Sequence, residues 1–219
     1  MQPLDALTIQ HLANELNDAL LNSKINKIQH LSAHEFLFSF FGAKIPRTQR
    51  LYINLNPTHP CCVLAEQEQL PDFVVNTFSK PTGLCMLLRK HLASARIIDV
   101  SPVLGERVIN LMLENYNELG SKVRFLLTLE LMGKNSNMLL VDWVQNSILG
   151  VAHSVSEGMS RYREVMPGLP YSPPPTPEGK ILFWHASIPQ LAAQWQADTH
   201  EARLKQFQNT FWGVSRPVL

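Results

Sequence analysis

Short runs in which apolar residues alternate with polar ones, each closed by a turn signal, recur along most of this chain. They exclude an all-helical fold. Residues 25–31 carry Ile25, Ile28 and Leu31 at spacings close to alternation, and the aromatic-rich run 35–41 ends at Gly42, a hairpin bend. Leu51, Ile53 and Leu55 alternate with Tyr52 and Asn54. Further strands are predicted at 96–103, 107–114 and 122–131, joined through Leu104-Gly105-Glu106 and through 117–121. A last hairpin is predicted from 137–142 and 147–151. The pattern reads as an antiparallel meander with one buried face. Two stretches break the alternation with helical spacing. Leu7, Ile9, Leu12, Leu16, Leu20 and Leu21 predict a helix over 5–22, capped by Asp5 or Thr8, and Leu84, Leu87, Leu88 and Leu92 predict another over 84–94. Between the strands, 56–71 reads as loop because of Pro57, Pro60 and the acidic Glu66 and Glu68.

From Met166 the composition changes. Pro167, Pro170, Pro173, Pro174, Pro175 and Pro177 are too dense for a helix or a central strand, which predicts an extended linker or a strap over the core. Residues 188–199 and 201–211 read as helices, and 212–217 resembles the turn of a helical hairpin. The expected division is a domain over 1–175, a linker over 176–187 and the start of a second, helical domain over 188–219, trimmed inside that motif.

Chemistry-bearing motifs are sparse. No serine sits between the glycines of a nucleophile elbow, no glycine-rich loop ends in Lys-Ser or Lys-Thr, and there is no Gly-x-Gly-x-x-Gly. The 8 histidines are scattered, and the adjacent Cys61 and Cys62 with Cys85 lack metal-ligand spacing. The chain is therefore expected to have no cofactor, no metal and no catalytic residues. The cysteines are expected to be reduced thiols in a cytoplasmic protein, because the start of the chain has no basic, apolar leader and no apolar run is long enough to span a membrane. A hydrophobic share of 45% excludes a disordered chain, and a formal charge of +1 gives no whole-molecule field, so polyanion binding requires a local patch.

Candidate patches exist. Lys80, Arg89, Lys90, Arg96 and Arg107 form one basic group, Lys122, Arg124 and Lys134 a second, and Arg161 and Arg163 a third. Brought together by the fold, they would make a groove suited to phosphates; kept apart, they are ordinary solvated surface. The segment Gly133-Lys134-Asn135-Ser136-Asn137 fits either a nest of backbone N–H groups for a phosphate or ribose, or a plain structural turn.

Several stretches in this order and spacing carry a more specific signal. They are Asp5-Ala6-Leu7-Thr8, Lys24-Ile25-Asn26-Lys27-Ile28-Gln29, Met86-Leu87-Leu88-Arg89-Lys90-His91-Leu92, Glu130-Leu131-Met132-Gly133-Lys134-Asn135-Ser136-Asn137, and Arg161-Tyr162-Arg163-Glu164-Val165-Met166-Pro167-Gly168 with Tyr171. Together they resemble the NFACT N-terminal domain, historically labelled fibronectin-binding protein A, over about residues 1–175, and the tail resembles the start of that family's helix-hairpin-helix domain. The resemblance implies an α+β fold: an antiparallel β-sandwich or pseudobarrel flanked by helices, like the N-terminal domain of formamidopyrimidine-DNA glycosylases. It implies a non-enzymatic RNA-binding module of ribosome-associated quality control. Its partners would be tRNA and large ribosomal subunits obstructed by peptidyl-tRNA, and it would support untemplated alanine tailing of stalled chains, with no membrane association. The family's Asp-Arg pair maps onto Glu106-Arg107, where glutamate lengthens the acid by one methylene. Asp5, Arg89, Lys90, Lys134, Asn135, Asn137, Arg161 and Arg163 complete the RNA-binding residues the resemblance implies. The alternative is an adhesin that binds fibronectin. Base-excision chemistry is excluded, because Pro3 is internal behind Met1 and Gln2 and offers no amine.

Overall fold

The computed structural model describes residues 4–42, 49–66, 81–193 and 199–214. Among them nine strands form one antiparallel sheet in the order β4-β3-β2-β1-β5-β6-β7-β8-β9. Its first half is β1 (Lys24–Ser32), β2 (Glu35–Phe41), β3 (Gln49–Asn54) and β4 (Cys61–Glu66). Its second half is β5 (Arg96–Pro102), β6 (Val108–Tyr116), β7 (Lys122–Glu130), β8 (Asn137–Asp142) and β9 (Ser147–Val151). Within each half every strand pairs with its neighbour in sequence. The halves meet at β1 and β5, where Lys24 opposes Arg96 and backbone bonds such as Ile25 N to the Ala95 carbonyl extend the seam.

Two helices cover this sheet. In α1 (Ala6–Leu20) the residues Ala6, Ile9, Ala13, Leu16 and Leu20 recur at helical spacing and are buried. Asp5 is the N-cap: its carboxylate accepts from the Thr8 backbone N–H at 2.9 Å. Leu7, read as part of the apolar stripe, lies outside it and is exposed. The helix packs on β5 and β6, and the Asn17 side-chain oxygen accepts from Val100 N. α2 (Gly83–Leu92), capped by Thr82, buries Leu84, Cys85, Leu88 and Leu92 against β1, β6 and β9. Gly150 on β9 admits the helix closely, since a Cβ there would stand 3.2 Å from Leu84 Cδ1. Both helices and both halves of the sheet share one core, which runs from Phe36, Phe38, Leu51 and Ile53 to Ile109, Leu111, Leu127 and Leu129.

From Phe125 onward β7, and β8 up to Val141, are buried on both faces, against the one-sided expectation. The reason is a second, smaller cluster on their other face, where Leu126, Leu139, Val141 and Ile148 meet Val165 and Tyr171. The chain after β9 folds back to supply that cover, through isolated bridges Val155–Val165 and Ser147–Pro170. The span 56–71, expected to be loop, instead contains β4, paired with β3 from Gln49–Glu66 to Asn54–Cys61. The residues read as a linker contain β10 (Ile181–Leu182), which pairs in parallel with β11 (Phe211–Trp212) around α3 (Ile188–Ala193) and α4 (His200–Thr210). The expected hairpin turn at the tail thus begins as a strand, and 215–219 lie outside the described residues. No helix among the described residues is long and apolar enough to cross a membrane.

Candidate nucleic-acid interface

Antiparallel strands bring distant residues to one end of a sheet, and here the start of β6, the end of β7, the start of β8 and the end of β9 coincide. A cleft of about 720 Å³ opens there, walled by Glu106, Glu130, the 133–137 turn, His153, the 159–163 segment and prolines Pro174, Pro175 and Pro177. The proline run is a strap along this wall, with Pro174 buried.

At its base Glu130 is fully buried, and Arg163 Nη2 donates to its Oε2 at 2.5 Å while Nη1 reaches the Ser172 carbonyl at 2.8 Å. Tyr171 Oη lies 3.5 Å from the other Glu130 oxygen. Burial pushes the Glu130 carboxyl above the usual carboxylate range, and the Arg163 hydrogen bond opposes that shift. This ion pair ties the returning segment to β7. The Gly133–Asn135 turn is a short 3-10 helix with Gly133 at φ +62, and the Ser136 N–H bonds the Gly133 carbonyl at 2.9 Å, so the backbone forms a structural turn. Asn137 is a bracket: Nδ2 donates to the His153 carbonyl at 2.7 Å and Oδ1 accepts from His153 N at 3.0 Å. Beside it the Ser136 hydroxyl is buried in the cleft wall without a hydrogen-bond partner among the described residues.

Glu106 is half-buried in the same wall. Burial raises its carboxyl from 4.5 to about 7, partly offset by the Arg107 and Arg163 cations. A proton bound more tightly in the fold stabilises it fully below pH 4.5, and that contribution is lost as pH rises through 7. Glu106→Gln keeps the shape without the charge. Its melting temperature is expected to exceed that of the parent at about pH 8 and to converge with it near pH 5. Thermal unfolding across that range checks this, and parallel curves would refute a buried, titrating Glu106.

The structure thus gathers Glu106, Lys134, Asn135, Asn137, Arg161 and Arg163, with Lys134, Asn135 and Arg161 exposed at the mouth. Arg107 stands beside the cleft rather than in its wall, and its carbonyl accepts from Leu131 N at 2.8 Å. The other expected site residues lie elsewhere. Asp5 is buried at the head of α1. Arg89 on α2 donates its Nε to the Ile28 carbonyl at 2.9 Å, and Lys90 is exposed on the same helix. The three basic groups do not merge into one groove. Arg96, Lys122 and Arg124 surround Glu114 at 2.7, 3.3 and 3.6 Å, and their charges, the Arg96 hydrogen bond foremost, hold its carboxyl below the usual range. Glu114 lies along β6 from Val108, which opposes Glu130, so this cluster is about 20 Å from the cleft. Lys80 is outside the described residues.

Sequence reasoning assigned no site role to Glu130, Tyr171 or His153, although Glu130 and Tyr171 lie in the stretches that carry the family resemblance. An acid closing the apolar run of β7 was the one available signal, because a carboxylate in such a strand needs a buried cation.

A sequence model of the NFACT N-terminal and middle domains matches residues 5–219. The chain belongs to the NFACT family. This NFACT chain is 29% identical to an Rqc2 homolog, RqcH, of Streptococcus pneumoniae strain D39 over 97% of its own length and 36% of that protein. It is likewise 29% identical to the RqcH of Bacillus subtilis strain 168, over 96% of this chain and 35% of the relative. It therefore spans little more than a third of the curated relatives it matches. The crystal structure of the N-terminal domain of fibronectin-binding protein PavA from Streptococcus pneumoniae superposes with a TM-score of 0.82 at 27% identity, covering 97% of this NFACT chain and 76% of that one.

Proposed function

We propose that this chain is the RNA-binding module of a cytoplasmic ribosome-associated quality control factor. It engages tRNA on large subunits obstructed by peptidyl-tRNA and supports untemplated alanine tailing, without bond-making chemistry of its own. The observation that carries the reading is the composition of the cleft. Lys134 and Arg161 stand exposed at its mouth, Arg163 is paired with Glu130, and burial raises the remaining carboxyl, Glu106, to about 7, so the two exposed cations face the cleft with little opposing charge and suit a phosphate backbone. The Ser136 hydroxyl offers a further polar contact. Membership among Rqc2 homologues supplies the ribosomal setting. The ribosome performs peptide transfer and the module supplies position. Base-excision chemistry is no part of this reading, since an internal Pro3 leaves no nucleophilic amine.

Co-sedimentation with large subunits carrying peptidyl-tRNA, against empty subunits across a salt series, tests this. Preferential, salt-sensitive retention on occupied subunits is expected, and equal absence from both would sink the reading for this segment. Arg107→Ala is expected to lower the melting temperature by no more than about 4 °C, because Arg107 is only half-buried and the stabilisation lost is chiefly its attraction for the Glu106 carboxyl. It should reduce the slope of log affinity for tRNA against log salt by about 1. Unchanged affinity and slope would remove Arg107 from the interface.

Fibronectin binding is the second reading, favoured by the fibronectin-binding PavA domain as a structural neighbour. Protease shaving of intact cells, with lysis markers absent, distinguishes a surface adhesin from a ribosomal factor.

A further inference from the structure

The turn that carries Glu106 and Arg107 is held by a part of the chain remote in sequence. Gly105, at φ +81, is buried, and a Cβ on it would stand 2.4 Å from Leu182 Cδ1 and 2.5 Å from Trp212 Cζ3. Both of those residues come from the paired strands β10 and β11, where Leu182 is the partner of Trp212. Gly213 completes the socket. It lies at φ +96, and its own Cβ position is 3.3 Å from Gly105 Cα and 2.6 Å from Trp184 Cζ3. Backbone thus meets backbone through two glycines, with an indole on either side. Behind the socket the rings of Phe183, Phe207 and Phe211 pack at centroid separations of 4.7–6.5 Å, and Lys180 Nζ donates to the Gln208 carbonyl at 2.7 Å. This is a small core of its own.

The turn itself is short, with Glu106 N bonded to the Val103 carbonyl and Val103 N bonded to the Val108 carbonyl, both at 3.0 Å. A shift of Gly105 is therefore transmitted directly to the next two residues. We infer that Leu182 and Trp212 are positioning residues for the Glu106–Arg107 pair, so that the pair is presented to RNA only while β10 and β11 are seated on Gly105. The inference rests on the RNA reading for its consequence, but the socket stands on packing alone. The half-buried state of Glu106 fits it, because a loosened turn would expose that carboxyl to water.

Three variants of the full chain test the coupling. Trp212→Ala empties the socket, Trp212→Phe keeps a ring in it, and Gly105→Ala obstructs it by both its Cβ and its φ. Without RNA, Trp212→Ala and Gly105→Ala are expected to accelerate amide exchange at 103–108 by about tenfold or more, while the amides of β7 and β8 keep their protection. The Glu106 carboxyl should return from about 7 toward the ordinary carboxylate range, and Trp212→Phe should restore most of both effects. Fluorescence anisotropy with deacylated tRNA should report affinity about tenfold weaker for Trp212→Ala, because contacting groups tolerate only sub-ångström displacement. Unchanged exchange at 103–108, or a loosened turn with unchanged tRNA affinity, overturns the inference. A parent chain that retains no tRNA overturns the RNA reading instead, and exchange and titration still decide whether the socket positions the pair.

Discussion

Replacing Arg163 with alanine is expected to lower the unfolding free energy by about 3–5 kcal/mol, since it strands a buried charge. For a chain of this size that is a fall of about 6–20 °C in melting temperature. Glu130 has no exposure to solvent, and Arg163 is its ionic partner at 2.5 Å. The expected loss depends on pH in a definite sense. Without Arg163 the Glu130 carboxyl titrates still higher in the fold, so the protonated form is favoured and its stability is lost as pH rises through that value. The deficit should be smallest below the ordinary glutamate range and largest at alkaline pH. Urea unfolding at both ends measures this. Adding Glu130→Gln to Arg163→Ala should recover part of the loss at neutral pH, because the buried group then carries no charge. A small loss that is flat with pH would mean that Glu130 is not held as an ion by Arg163.

Asn137→Ala is expected to destabilise by about 2–4 kcal/mol, because it leaves the His153 N–H and carbonyl together without their partner. Both ends of the Asn137 amide are committed to that residue, at 2.7 and 3.0 Å. The 153–163 segment forms one wall of the cleft, so its release should also abolish RNA retention although no cation has been removed. Faster exchange of the His153 amide with intact protection in β6 would support the bracket; an unchanged melting temperature would sink it. Loss of binding at Asn137 accordingly reports on the wall rather than on a contact with phosphate, whereas a loss at Arg161 or Lys134, both exposed, reports on contact.

Much of the framework was legible because period and burial coincide. The helical spacing of Ile9, Leu16 and Leu20 and the alternation of Leu51, Ile53 and Leu55 each describe one dry face, and that face is the core. β4 escaped because it lies at the edge of the sheet, where only Cys62 is fully buried and no alternation remains to be read. The site was harder. Glu106, Lys134 and Arg163 could be nominated singly, but their meeting depends on the segment after β9 folding back over β7 and β8, which no local periodicity encodes. The basic residues at Glu114 illustrate the reverse: cations that look alike in sequence are separated by the length of a strand.

The seam between β1 and β5 also bears on how such a chain assembles. Every other ladder of the sheet joins neighbours in sequence and can zip as soon as both strands exist, with little loop-closure entropy. The first helix has no such local platform. Its dry face rests on β5 and β6, beyond the whole first meander. During synthesis from the N-terminus, Ile9, Ala13, Leu16 and Leu20 therefore stay without their final cover until residues past 116 have emerged. An element made before the whole sheet is thus among the last to be housed, and in the interval its greasy stripe needs shelter.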